Sequence, residues 1–370
     1  MQTIEEKANE LGINLRDIFA NQLKGYQLAK WVMDNFEEKE PVTGADYSFA
    51  FVGDPQYITY GDLINDTNNI EKIFKWIADN AKEKKMAQVV VMGDLTHESK
   101  CNDTEMSFST ENGSKHYEWD IAKKAVDQLK GVVPYIIVRG NHDDYQIDDY
   151  FGNDEDYVKQ FDGFYRPNIG RYGNNSITNS YRKLDINGEK YLFVAVDFNP
   201  TKDAVDWVGE VISQHPDRKV IISTHSYLAW NATLLPIKYD WDSMKHFYKN
   251  EDGNYVTAFL GYDGPALWNE LVSKYPNIIM ICAGHVHGDN VMYTFDEGVN
   301  GNKVMNVLVD TQNFDIEKTF VGLICIMHFF DNGKRIELEY YSPLLDAYKK
   351  ENTDIIDIST STVIKGCKKY

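Results

Sequence analysis

The stretch Ser48–Gln56, SFAFVGDPQ, reads as a buried strand that stops at a glycine and then presents Asp54 and Gln56. Four later stretches repeat that layout: VVVMGDLTHE at Val89–Glu98, YIIVRGNHDD at Tyr135–Asp144, VIISTHSY at Val220–Tyr227 and IIMICAGHVHG at Ile278–Gly288. Each is a short apolar run rich in β-branched residues, followed at once by Asp, Asn or His. One such run is ordinary core. Five that each end on a metal-type ligand point to a single site on which they converge.

The segments between them set the topology. Within Asn65–Lys84, Ile70, Ile73, Phe74 and Ile77 recur at helical spacing, with acids early and lysines late as the helix dipole favours. Trp119–Leu129 predicts a second helix before the third run. The resulting βαβαβ order implies parallel neighbouring strands with helices on their faces. In such sheets ligands gather at the carboxyl ends of the strands, where all these polar residues fall. Residues 99–115 read as a polar loop, and 145–178, rich in Tyr, Asp and Asn, as one wall of a cleft.

Further along, Asn187-Gly188 between two strand-like runs, Ser180–Ile186 and Lys190–Val196, is a strong hairpin signal. Thr201–Gln214 reads as a helix capped by Thr201, and Lys219–Ser223 as the fourth strand. The insert Ser226–Gly261 carries Tyr227, Trp230, Tyr239, Trp241, Tyr248 and Tyr255, which suits either a substrate wall or a satellite cluster packed on itself. A helix at Pro265–Lys274 leads to the fifth strand. The chain then turns all-β at Val291–Phe295, Lys303–Val309, Val321–Phe329 and Arg335–Tyr341, expected to build a second sheet against the first. Residues 1–44 read as a helical extension, 45–345 as the main domain, and 346–370 as a C-terminal extension with room for short strands.

Composition narrows the function. The 370 residues carry a net charge of −19, with 26% charged and 13% aromatic side chains, a soluble and folded composition. Such acidity makes for a poor general nucleic-acid binder, which needs a basic face, and argues against anionic membrane surfaces. The longest apolar run, Val321–Phe330, is far short of the roughly 20 residues that span a bilayer. The amino terminus, MQTIEEKANE, does not read as a signal peptide, which leaves both a cytoplasmic protein and an exported one with its signal removed. Cys282 and Cys325 sit in apolar runs as small hydrophobes, while Cys101 and Cys367 take no redox assignment. His116, His215 and His246 read as solvated, and His328 as a satisfied core residue.

The five clusters offer two aspartates, a glutamine, an asparagine and three histidines, with a fourth histidine at His142. Carboxylate, amide oxygen and imidazole together suit first-row metals such as Mn, Fe, Zn or Co better than Mg or Ca. Two such ions about 3.5–4 Å apart can clamp a phosphoryl group and acidify an attacking water.

In their order and spacing, GDPQ, GDLTH, GNHD, THSY and GHVH resemble the five motifs of the calcineurin-like metallophosphoesterase superfamily, from about Phe51 to His287. The resemblance implies a four-layer αββα sandwich: two mixed β-sheets face to face, flanked by helices. It implies two transition-metal ions (Mn, Fe or Zn) and hydrolysis of a phosphate monoester or diester, on a small molecule or another phosphoester, by a metal-activated hydroxide. Asp54, Gln56 and His287 would serve the first metal and Asn141, His225 and His285 the second, with Asp94 bridging. His142 would bind the phosphate and protonate the leaving group. Two positions depart from the commonest pattern: Gln56 replaces a histidine, and His97 stands where some branches carry an aspartate or a tyrosine. His97, Asp143 and Asp197 are expected to support the ligands. The rival readings are a non-catalytic, metal-holding module of a larger surface protein and, with less support, a nuclease.

Overall fold

The computed structural model describes residues 15–97, 108–109, 115–116, 118–143, 147–166, 176–239, 246–249, 255–258, 261–288, 290–310, 312, 316–350 and 353–365. Cys101 and most of its loop, Asp144, Trp241 and Cys367 lie outside them, as do the side chains of His116, His246, Tyr248 and Tyr255.

The first run forms β2 (Tyr47–Val52), preceded by α1 (Leu15–Asn35) and the two-residue β1 (Phe36–Glu37). Every residue of β2 is buried, so its two faces serve different layers. Phe49 and Phe51 point into a core between two sheets, whereas Ala50 and Val52 pack under helices. A strand buried on both sides reads as a continuous apolar run, which is why no polar alternation marks it. Those helices are α2 (Gln56–Asn65), α3 (Asn69–Asn80) and α4 (Glu118–Val126). Helix α3 lays Ile70, Ile73, Phe74 and Ile77 against the sheet. Helix α2 is not anticipated by the sequence: QYITYGDLIN combines β-branched, aromatic and glycine residues of weak helix propensity.

Strand β3 (Met86–Val91) lies parallel to β2, and β4 (Tyr135–Ile137) parallel to β3. The second sheet begins with β5 (Gly163–Phe164) and the hairpin β6 (Ser180–Ile186) and β7 (Glu189–Ala195). Its turn residues Asn187 and Gly188 have φ of 50° and 84°, as a two-residue hairpin with left-handed central positions requires. Helix α6 (Lys202–Gln214) follows a four-residue α5 (Glu155–Val158), and Thr201 Oγ1 caps it by accepting from Ala204 N at 3.3 Å. Strands β8 (Lys219–Ser223), β9 (Ile278–Ala283) and β11 (Lys303–Leu308) continue the parallel set beside β7, with β10 (Met292–Glu297) antiparallel at the edge. Helices α6 and α7 (Gly264–Glu270) cover the outer face through Val205, Val208, Ile212 and Leu267.

The layers are therefore helix, sheet, sheet, helix, the αββα sandwich expected. One expectation is corrected. Only β10 and β11 of the tail join the second sheet; β12 (Ile324–Phe330) and β13 (Arg335–Ser342) enter the first, with β12 antiparallel to β2. The reason is that β12 is apolar on both faces. Cys325, Met327 and Phe329 fill the layer between the sheets, and Ile324 and Ile326 the layer under the helices. Strand β14 (Ala347–Lys349) pairs with β1, and β15 (Ile355–Asp357) pairs with β13 and with β16 (Thr362–Lys365). His328 is buried and bonded through Nε2 to Glu339 at 2.7 Å, as a satisfied core histidine should be. In the aromatic insert Tyr227 is fully buried, while Trp230 and Tyr239 are exposed.

The two sheets lock through aromatic contacts: Phe49 and Phe193 meet edge to face at 5.0 Å, and the Tyr47 and Tyr191 hydroxyls bond at 2.5 Å. Phe49→Ala should therefore destabilise the chain by about 3–5 kcal/mol, measured by urea unfolding.

Candidate metal centre

The parallel strands of both sheets release their chains at one end of the sandwich, and the turns there are unusually tight. Asp54, Asp94 and His285 all take left-handed φ, at 47°, 50° and 73°. Such a conformation costs a non-glycine residue about 1 kcal/mol or more and persists only where the surroundings enforce it. What enforces it here is crowding between turns. A Cβ on Gly140 would stand 2.1 Å from Asp94 Oδ1, and one on Gly284 would stand 2.1 Å from Asp54 Oδ2. The glycine before one ligand thus makes room for the carboxylate of another.

Ligand atoms of Asp54, Asp94 and His225 lie within 4.8 Å of one another, all buried. His225 Nδ1 is 2.9 Å from the Met92 carbonyl, which can only accept, so Nδ1 carries the proton and Nε2 the lone pair. That lone pair faces Asn141 Oδ1 at 2.9 Å and Asp94 Oδ2 at 3.4 Å. Asn141 Oδ1 also stands 2.9 Å from His285 Nδ1. Electron pairs pointing at one another at these distances need a proton or a metal cation among them. Burial opposes protonation of His225, but the Asp94 charge and hydrogen bond outweigh it and raise the His225 pKa. The same pairing, with His142 adding to it, holds Asp94 below the ordinary carboxylate range despite burial.

Asp54 Oδ1 accepts from the His285 backbone at 2.9 Å, and its Oδ2 has no hydrogen-bond partner. Burial, then the charges of Asp310 and Asp94, push its pKa well up. Gln56 donates from Nε2 to Asp94 Oδ2 at 3.0 Å, while its buried Oε1 has no partner. His287 Nδ1 lies 3.0 Å from Gln312 Oε1, an acceptor, so its Nε2 holds the lone pair. Burial lowers the His287 pKa and keeps that ring neutral. Buried acceptor oxygens without hydrogen-bond partners, beside imidazole lone pairs, are a donor set that fits divalent first-row metals.

The other residues named from sequence stand around this cluster. The His142 backbone donates to Asp94 Oδ1 at 2.7 Å, and its ring bonds through Nδ1 to the His97 carbonyl at 2.8 Å. His97 stacks on His142 at 5.0 Å and meets Tyr57 at 4.6 Å and Tyr60 at 5.3 Å. Its backbone N–H lies 3.1 Å from a Glu118 carboxylate oxygen. Asp143 accepts from Thr96 N, Thr96 Oγ1 and Gly140 N at 3.0–3.1 Å, tying the second turn to the third. Asp197 pairs with buried Arg139 at 2.8 Å and joins the two sheets rather than the ligand cluster. Sequence reasoning missed Arg139, Glu118, Asp310 and Gln312. For Asp310 a signal exists: VMNVLVD ends on an acid as the other runs do, but it lies beyond the five motifs.

A family model described as calcineurin-like phosphoesterase matches residues 47–289. The chain belongs to that family. Among curated relatives, the uncharacterized protein YvnB of Bacillus subtilis (strain 168) is 24% identical over 323 residues. That match takes in 83% of this calcineurin-like chain, which spans only 21% of the relative's length. Among solved structures, a dimetal phosphatase from Danio rerio superposes over 85% of this chain and 100% of its own, at 11% identity and TM-score 0.47. A purple acid phosphatase from yellow lupin seeds covers 88% of this chain and 56% of its own, at 13% identity and TM-score 0.41. No helix among the described residues is long and apolar enough to cross a membrane.

Two outcomes follow. Gly140→Ala should displace Asp94 and strip metal from the purified protein, read as ions per chain by elemental analysis, with the far-UV spectrum kept. The second concerns Asp148, whose Oδ1 accepts from Ile177 N at 2.9 Å while burial pushes its pKa from 3.8 up to about 7. Between those values the folded chain binds the extra proton, so stability falls as pH rises through the window and the penalty persists above it. Asp148→Asn should gain about 2–4 kcal/mol at about pH 8 and nothing at about pH 4, compared by denaturant titration at both.

Proposed function

We propose that this chain hydrolyses a phosphate ester at a dinuclear metal centre, with His142 as the general acid. The observation that carries the reading is the convergence of Asp94 Oδ2 and Asn141 Oδ1 on the lone pair of buried His225 Nε2, at 3.4 and 2.9 Å. Asp54, Gln56 and His287 would hold the first metal, Asn141, His225 and His285 the second, and Asp94 both. When bound, the pair supplies positive charge for the phosphoryl oxygens and lowers the pKa of the attacking water.

The protein's own part is orientation and proton delivery. The contact of Nδ1 with the His97 carbonyl at 2.8 Å orients the His142 ring. From there the ring can donate a hydrogen bond to the phosphoryl group and a proton to the departing oxygen. The hydrogen bond from the His142 backbone to Asp94 Oδ1 couples the acid to the ligand between the metals. Asp143, by gathering Thr96 and Gly140, sets the spacing of the turns that carry Asp94 and Asn141. Arg139 and Asp197 clamp the third turn to the second sheet. Monoesters and diesters both suit this arrangement, whereas a net charge of −19 disfavours long polyanionic nucleic acids.

A second reading, a module that holds one metal without turnover, draws on Gln56, whose amide N–H₂ faces Asp94. Metal counting separates the two: close to two ions per chain for the hydrolase, one or none for the module. On an aryl phosphate and an aryl phosphodiester with added manganese, His142→Ala should lower kcat about 10²–10⁴-fold with the metal content kept. Chelation should abolish turnover and manganese restore it. Turnover by His142→Ala at the wild-type rate would overturn the assignment of the acid.

A further inference from the structure

Asp310 is a buried acid that the five motifs leave without a task. It lies two residues past the end of β11 and is 2% exposed. Oδ1 accepts from the Gln312 backbone at 2.6 Å; Oδ2 has no hydrogen-bond partner among the described residues. Other buried carboxylates are satisfied within the polypeptide: Asp143 by three donors, Asp197 by Arg139, Glu339 by His328 and Lys84. Asp148 shares the orphaned oxygen, but the charges acting on it are those of Asp197, Arg139 and Asp149, not of the ligands.

Asp310 stands against the first-metal side of the cluster. The Val309 carbonyl and Asp310 Cα lie 2.2 and 3.1 Å from where a Cβ on Gly53 would be, so this strand end abuts the residue before Asp54. The Asp310 charge acts on Asp54 more strongly than that of Asp94 does. Two residues on, Gln312 Oε1 meets His287 Nδ1 at 3.0 Å. One strand end therefore reaches both Asp54 and His287. These are the residues that share a metal with Gln56, whose amide oxygen is a weaker donor than the imidazole it replaces.

We propose that Asp310 and Gln312 form a sixth arm of the metal centre: Asp310 gives its free carboxylate oxygen to the first metal, and Gln312 orients His287. This rests on the dinuclear reading above. Oxygens from Asp54, Gln56, Asp94 and Asp310 with one imidazole make a hard set, suited to Mn²⁺ over Zn²⁺.

The test uses the purified full chain, stripped by chelation and titrated with MnCl₂, followed by calorimetry and thermal unfolding. Wild type should show two sites. Asp310→Asn should weaken one of them by about 100-fold or more and spare the other, and Gln312→Ala should weaken the same one by about 10-fold. Metal-free Asp310→Asn should melt no lower than metal-free wild type, because an unpaired buried charge has been removed. Two unchanged Mn²⁺ sites in Asp310→Asn would overturn this inference and leave the dinuclear reading standing. So would a lowered melting point of the metal-free variant with a wild-type manganese shift, which marks a structural carboxylate. If Asp310→Asn does not fold, unchanged manganese affinity in Gln312→Ala overturns the arm. A wild-type chain that takes up no metal sinks both readings together.

Discussion

Asp54, Asp94, Asp143 and Asp310 are buried at one end of a sandwich, each at 2% exposure or less. Like charges in low dielectric repel strongly, and desolvation penalises each one before any repulsion is counted. Asp143 is satisfied by backbone and hydroxyl donors, and Asp94 accepts from Gln56 Nε2 and the His142 backbone; Asp54 and Asp310 keep oxygens without a hydrogen-bond partner among the described residues. The cluster is thus incomplete as a piece of polypeptide. Cations bound there would supply what is missing, and binding that favours the folded state over the unfolded one would add to stability by mass action. Fold and metal are coupled through the same few atoms.

That incompleteness is local, which is what makes it informative. On β13, Glu339 is equally buried, yet it accepts from Val42 N at 2.6 Å, Lys84 Nζ at 3.0 Å and His328 Nε2 at 2.7 Å. Burial alone would raise its pKa; the His328 hydrogen bond and charge and Lys84 lower it to about 2. The chain can neutralise a buried carboxylate when the position calls for it. At the turns after β2 and β3, left-handed backbone at Asp54 and Asp94 and neighbouring glycines bring acids together instead. Gly140 and Gly284 have no room for a Cβ because a carboxylate from another turn fills the space. Turns held this tightly keep their side chains aimed, as a catalytic site requires.

How much of this was legible follows from which contacts are local. Strands β2, β3, β8 and β9 announce themselves because both faces are buried, and their ligands follow within a few residues. The αββα arrangement and the family were readable from those motifs. Sheet membership of the tail was not: β12 pairs Met327 with Phe49, and no pattern within ten residues of either specifies that pairing. Helix α2 escaped for a related reason. Its sequence is a poor helix former, and the fold stabilises it through burial of Ile58 and the close approach of Gly61 to Phe320. Asp310 obeys the strand-then-acid layout yet offers one acid where the other runs match known motifs. Its significance depends on a neighbour at residue 53 that only the folded chain supplies.

Charge at long and short range then explains how so acidic a protein could work on an anion. A net charge of −19 repels phosphoesters, but screening confines that repulsion to about 8 Å at physiological salt. Inside the pocket the balance reverses once cations sit among Asp54, Asp94 and Asn141, because buried charges are screened far less than surface ones. Recognition must then come from contact with the centre rather than from steering. An extended polyanion would drag its remaining charges across the acidic surface, whereas a compact anion would not. The same carboxylates that make the folded chain electrostatically costly thereby restrict what it can bind.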